Sequence, residues 1–296
     1  MRRSSKQVPS LIVPIHLHRI ARAAFLAVTC VAVAIPAASC QLHSIGAGAL
    51  LYPAKRVTQT PTPPGCVQQT FSGHHVNLIG WQCASREQPR KGVVVYLHGI
   101  GDNRSSAAGV VGRFISRGFD VFAYDSRAHG ASGGEHCTYG YYEKLDLRRV
   151  LDHVGADDVI LIGHSLGAAV ALQTAAIDPR VRAVVAAASY SDLRTVATER
   201  APFIFTRRSI DGSFQRAEQD ANFRVDEVSP ANAAAKISVP VLIIHGEADR
   251  NTAPAHAERI YAALRGPKKL LIVPGAGHND VLRGEVWKEI EDWLRQ

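Results

Sequence analysis

Residues 159–167 read Val-Ile-Leu-Ile-Gly-His-Ser-Leu-Gly, and residues 168–176 continue as Ala-Ala-Val-Ala-Leu-Gln-Thr-Ala-Ala. The apolar, mostly branched run fits a strand buried on both faces. The small residues after it fit a helix packed close against that strand. Only a tight turn fits between the two. The pattern is G-x-S-x-G, in which a serine stands at the tip of a strand-to-helix turn in a strained backbone conformation. Gly163 and Gly167 flank Ser165 because a Cβ at either place would crowd the neighbouring strand or the helix. The helix beginning at Leu166 points its first amides and its positive dipole end at the serine oxygen, where negative charge develops if that oxygen attacks an acyl carbon. Ser165 is therefore the candidate nucleophile.

A serine hydroxyl is too weak an acid to attack unaided and needs a base within hydrogen-bond reach. The rest of the chain supplies partners in a regular rhythm. Gly92–Leu97 (GVVVYL) is another continuous apolar run, ending in His98-Gly99-Ile100-Gly101-Asp102-Asn103. Asp120–Tyr124 and Val181–Ala188 are further strands, with helices expected over 104–117 and Glu143–His153. Val239–His245 (VPVLIIH) runs into Gly246-Glu247-Ala248-Asp249. An acid just past a strand of such a sheet stands at the same edge as the serine turn, and both Glu247 and Asp249 qualify. Lys269–Val273 is the last strand, and Gly275-Ala276-Gly277-His278-Asn279-Asp280 follows it. A histidine on a glycine loop beyond a strand can bring its ring onto a serine. His278 would take the serine proton and return it to the leaving group, while the acid fixes its tautomer and stabilises its charged form. A helix from about Asp280 to Leu294 closes the chain.

Composition narrows the class. The apolar fraction is 46% of 296 residues, enough for a full core. The net charge is +8, but the first 40 residues hold five Arg/Lys and no acid, which leaves +3 for the remainder. No Lys/Arg stripe with interleaved aromatics is present, so no nucleic-acid partner is expected. The glycine pair after Leu97 lacks the G-x-x-x-x-G-K-S/T of a phosphate loop. The adjacent His74 and His75 have no further ligands at metal spacing, so no metal site is expected.

The N-terminus has the layout of a secretory leader. Arg2, Arg3, Lys6, Arg19 and Arg22 precede an apolar stretch, Ala23–Ser39, that is short for a membrane span and interrupted by Pro36. It ends in Ala37-Ala38-Ser39-Cys40, which resembles the cleavage and lipidation box of bacterial lipoproteins, with Ala37 where a leucine is usual. Lipid attachment at Cys40, an uncleaved anchor helix and plain cleavage near Ala38 all remain open. All three place the domain outside the cytoplasm, the first two on a membrane surface. Residues 41–65, rich in proline and without a clear period, read as a tether. Cys66 and Cys83 bracket a hairpin. If its two-residue turn falls at His74-His75, the two cysteines lie opposite each other and can form a disulfide. Cys137 is either a buried thiol or an alternative partner for one of them.

These motifs together resemble the α/β-hydrolases, in particular the serine aminopeptidase-like and monoacylglycerol lipase-like branch with small caps and its lipoprotein-type bacterial members. The resemblance covers residues 66–296 and rests on the GHSLG, HGIG, GEAD and GAGHND segments. It implies an α/β fold with an eight-stranded, mostly parallel sheet flanked by helices. The chain order serine, acid, histidine is that of the superfamily. H-G-x-x-D spacing selects Asp249 over Glu247. The HGIG turn implies an oxyanion hole from the Ile100 and Leu166 amides. Residues 125–134, a D-x-R-x-H-G-x-S-x-G stretch, become a loop locked by Asp125, Arg127 and His129. Residues 189–237 become a short helical cap. The implied activity is hydrolysis of a carboxylic ester, small or lipid-like, through an acyl-enzyme and without a cofactor. A peptidase or thioesterase would use the same three residues. A ligand-binding member without turnover usually lacks one of them, and this chain keeps all three.

Overall fold

Alternation along the strands divides the core into two layers. In the computed structural model, which describes residues 41–295, Val93, Val95 and Leu97 of β3 (Gly92–Leu97) pack into one apolar cluster. Val94 and Tyr96 pack into the other. The same holds for Val159 and Leu161 against Ile160 and Ile162 of β5 (Val159–His164). A strand that is apolar at successive positions must be covered on both faces, and helices do the covering.

The sheet has eight strands in the order β1-β2-β4-β3-β5-β6-β7-β8. The others are β1 (Cys66–Ser72), β2 (Asn77–Cys83), β4 (Phe119–Tyr124), β6 (Val181–Ala187), β7 (Val241–Gly246) and β8 (Lys268–Val273). β1/β2 and β2/β4 pair antiparallel, and every other neighbour is parallel. Residues 41–51 form α1. α2 (Ala108–Ile115) and α9 (Glu285–Trp293) cover one face with Val110, Phe114, Trp287 and Ile290. α3 (Glu143–Val154), α4 (Leu166–Ala175) and α8 (Ala255–Ala263) cover the other with Leu147, Leu151, Leu172 and Ile260. α5 (Leu193–Glu199), α6 (Arg207–Ala221) and the short α7 (Pro230–Ala234) lie between β6 and β7 and form the cap.

Three local features differ from, or complete, the sequence reading. The stretch read as a tether is helical over 41–51, with Ala47 and Leu51 buried among cap residues. The last helix starts at Glu285, because Gly284 takes a positive φ of 49° and the residues before it form turns. The first hairpin turns at His74-His75, with the Gly73 N–H donating to the Val76 carbonyl at 2.8 Å. That register sets Cys66 opposite Cys83, and the two form a disulfide, while Cys137 is a free, buried thiol. Cys40 and the leader lie outside the described residues.

Candidate active site

β5 ends at His164 and α4 begins at Leu166, so Ser165 alone makes the turn, at φ 52° and ψ −113°. A side chain in this region costs about 1–3 kcal/mol and persists only where its surroundings hold it. Here the Ser165 N–H donates to the Ala187 carbonyl at 2.8 Å, and its carbonyl accepts from the Ala169 N–H at 3.1 Å. The flanking glycines are steric necessities. A Cβ on Gly163 would fall 2.4 Å from the Gly167 carbonyl carbon, and one on Gly167 would fall 2.1 Å from the Leu97 carbonyl oxygen.

The other two residues reach Ser165 from loops beyond β7 and β8. His278 Nε2 lies 2.9 Å from Ser165 Oγ, and its Nδ1 lies 2.7 Å from Asp249 Oδ2. The Asp249 side chain is fully buried. Its Oδ1 accepts from the Asn251 and Thr252 N–H groups at 2.8 and 2.9 Å, and its Oδ2 accepts from Thr252 Oγ1 at 2.9 Å. Burial alone would raise the pKa of this carboxyl. Hydrogen bonds from His245, His278 and Thr252 outweigh burial and hold it well below the usual carboxylate range. An ionised carboxylate only accepts, so the His278 Nδ1 carries the proton and its Nε2 lone pair faces the serine hydroxyl. Glu247, the competing acid, is exposed and accepts from the Gly275 N–H at 2.9 Å.

Three supporting side chains escaped the sequence reading. His164 Nε2 donates to the His278 carbonyl at 2.9 Å and so positions the loop carrying that ring. Burial holds the pKa of His164 below its ordinary value, which favours the neutral ring. His245 Nε2 donates to the Thr252 carbonyl at 2.8 Å and lies 3.3 Å from Asp249 Oδ2. Thr252 Oγ1 stands 3.0 Å from His278 Nδ1 and bridges acid and imidazole. The available signal was spacing alone: His245 stands four residues before Asp249, and Thr252 three after it.

The loop facing the serine is braced from below. The Ser126 N–H donates to His98 Nε2 at 2.9 Å, so the proton sits on Nδ1, which donates to the Gly99 carbonyl at 2.7 Å. Complete burial and the neighbouring His129 push the His98 pKa down to about 4, in keeping with a neutral ring. Asp125 pairs with Arg104 and accepts from the Ala131 N–H, and Arg127 pairs with Asp146 through two hydrogen bonds. His129 Nδ1 stands 2.8 Å from the Arg127 carbonyl. These groups lock the 125–134 loop to its surroundings. Ile100 lines the cleft containing Ser165 and His278, and Leu166 is the first residue of α4, directly after Ser165. The cleft measures about 490 Å³, and Arg56, Arg200 and Leu282 also border it. Cys66 and Cys83 sit apart, on the edge hairpin of the sheet. Among the described residues no group of three or more metal-ligating side chains stands together.

Family models agree with this architecture. One described as alpha/beta hydrolase fold matches residues 92–237, and one described as TAP-like protein matches residues 217–296. The chain is 29% identical over 231 residues to the Bacillus subtilis protein YqkD, covering 70% of each. The Pyrococcus furiosus esterase Pf2001 superimposes with a TM-score of 0.64 at 20% identity, over 82% of this chain and 95% of that one. An acylaminoacyl peptidase of Pyrococcus horikoshii superimposes at 0.61 with 14% identity, over 78% of this chain and 40% of that one. At such identities the superpositions speak for the fold alone. With the serine elbow, the eight-stranded sheet and both family models in agreement, the chain belongs to the α/β-hydrolase superfamily.

Proposed function

We propose that the protein is a serine hydrolase that cleaves a carboxylic ester through an acyl-enzyme. The observation that carries this reading is the unbroken hydrogen-bond path from Ser165 Oγ through His278 to Asp249, at 2.9 and 2.7 Å. As Ser165 Oγ attacks the acyl carbon, its proton passes to His278 Nε2. The ionised Asp249 stabilises the imidazolium that results. Negative charge then develops on the carbonyl oxygen, and the Ile100 and Leu166 amides, with the positive end of α4, are the donors proposed to receive it. His278 returns the proton to the leaving alkoxide. Water, deprotonated by the same imidazole, then releases the acid and restores Ser165.

Esters are favoured because the cleft is polar near the serine and the one carboxylate among its lining residues, Asp102, already accepts from the Asn103 N–H at 2.8 Å. A peptidase or thioesterase would share the attack, and a panel of p-nitrophenyl esters, acyl-thioesters and aminoacyl amides separates the three. The substrate is proposed to be met outside the cytoplasm, with a membrane surface held by the N-terminus. The basic and apolar leader and the Cys66–Cys83 disulfide, which an oxidising compartment favours, support that location. Mass spectrometry of the mature chain tests it: acylated Cys40 at the N-terminus is expected of a lipoprotein. The mechanism is tested with a fluorophosphonate probe. Wild-type protein should be labelled and Ser165→Ala should not; equal labelling of both would remove the reading.

A further inference from the structure

α1 precedes the segments that the family models match, yet it is built into the cap. Two glycines let α1 and α6 cross with almost no gap. A Cβ on Gly212 of α6 would fall 2.3 Å from His43 Nε2, and a Cβ on Gly46 of α1 would fall 2.1 Å from Ser213 Oγ. The last carbonyls of a helix need outside donors. Here the Leu50 carbonyl accepts from the Tyr139 hydroxyl at 3.1 Å, and the Leu51 carbonyl from the Cys137 N–H at 2.9 Å. Helix, cap and body thus share one hydrogen-bonded junction.

The crossing leaves a cavity of about 350 Å³ between α1 and the cap. Ile45, Ala49 and Leu50 line it from α1, and Val196, Ile210 and Phe214 from α5 and α6. Ile100 and Arg200 border both this cavity and the serine cleft, so the apolar space begins beside the acyl carbon that Ser165 would attack. The serine cleft itself is bordered by Arg56, Asp102, His164, Ser165 and His278, a poor lining for hydrocarbon.

We infer that α1 and the cap together form the binding site for a linear acyl chain, which makes α1 a specificity element of the enzyme. This rests on the esterase reading above. At about 30 Å³ per small group, the share a water takes in the liquid, the cavity holds on the order of ten chain atoms, so acyl groups of roughly eight to twelve carbons fit. Each methylene drawn from water into such a lining raises kcat/KM by about fourfold until the cavity is full.

The test uses the full chain, in one detergent throughout, against p-nitrophenyl esters from acetate to palmitate. Wild type should rise about fourfold per methylene and level off near ten carbons. Gly212→Val forces α1 off α6 without touching the cleft: turnover of the acetate ester should stay within about twofold, while that of the decanoate ester falls at least tenfold. Ala49→Trp fills the cavity and should move the optimum to shorter chains. Binding of decanoic acid, followed by calorimetry, gives a readout that needs no turnover, and Ala49→Trp should weaken it at least tenfold. An unchanged length profile and unchanged decanoate binding in Ala49→Trp overturn the acyl site and leave the esterase reading standing. Decanoate binding that Ala49→Trp abolishes, in a protein that cleaves no ester, removes the esterase reading and keeps the site.

Discussion

Two serine–histidine–carboxylate groups stand among the described residues, and they differ in every respect that matters for chemistry. In the first, His278 turns Nδ1 to Asp249 and presents Nε2 to Ser165. In the second, His256 Nδ1 lies 2.8 Å from Ser191 Oγ and its Nε2 lies 2.9 Å from Glu199. The backbone N–H of Ser191 also donates to that Nδ1, at 3.1 Å, so the lone pair that would take a serine proton is already engaged. Ser191 is fully buried and its hydroxyl also reaches Asp192, whereas Ser165 stands at a positive-φ turn on an open cleft. The Glu199 side chain is 43% exposed, whereas that of Asp249 is completely buried with three hydrogen-bond donors besides His278. Three residue types within hydrogen-bond reach are therefore not enough. The direction of the imidazole, the strained turn and a fully buried acid set the first group, the proposed nucleophile's, apart from the second, which is built as a strap. The second group joins the cap helix α5 to α8 and to the exit of β6.

The sharpest way to break this contrast is to delete each serine. Ser165→Ala should lower ester kcat by about 10⁴- to 10⁶-fold, whereas Ser191→Ala should leave kcat within about threefold. A comparable loss from Ser191→Ala would show that the buried group takes part in the chemistry. The acids come next. Asp249→Asn offers an amide N–H to Nδ1, so the imidazole adopts the tautomer that donates toward Ser165, and kcat should fall by about 10⁴-fold. Glu199→Gln can still accept from His256 and should change kcat by less than about twofold. Both pairs are read from initial rates on a short-chain ester, with circular dichroism to confirm folding.

How far the sequence foretold this follows from which interactions are local. β5 and its serine turn are legible because an apolar strand, two obligatory glycines and a small-residue helix are contiguous. The hairpin register is legible because the count between Cys66 and Cys83 places them opposite once the turn is at His74-His75. The spacing that selects Asp249 is likewise local, since Glu247 faces solvent two residues earlier. α1 was not legible. Gly46 and Gly48 weaken its helix propensity, and its apolar face gains meaning only against α6, more than 150 residues away. The Ser191–His256–Glu199 group has no motif at all, since its members converge only after the cap has folded onto α8.

The third contrast concerns stability. His256→Leu should leave the short-chain ester rate within about twofold. It also strands the Ser191 N–H in a buried site, at a cost of about 1–3 kcal/mol. For a chain of this size that lowers Tm by roughly 2–8 °C, measured by differential scanning calorimetry. A fall of a hundredfold in rate with no change in Tm would reverse the assignment of the two groups.

The smallest expected effect is a change in slope with pH. Hydrogen bonds hold the folded-state pKa of Asp249 below its unfolded value of about 3.9. The native state therefore binds fewer protons there than the unfolded chain does, and stability rises with pH across that range. The contribution is fully present above about pH 5 and is lost progressively as the pH falls through the unfolded pKa toward the depressed folded one. Asparagine has no such proton to bind. Between pH 6 and pH 3, the Tm of wild type should fall by a few degrees more than that of Asp249→Asn. Parallel curves would mean that the charge of Asp249 is no better stabilised in the fold than in the unfolded chain. Burial would then cancel the donors around the carboxylate, and the first group would lose the buried, ionised acid that separates it from the second.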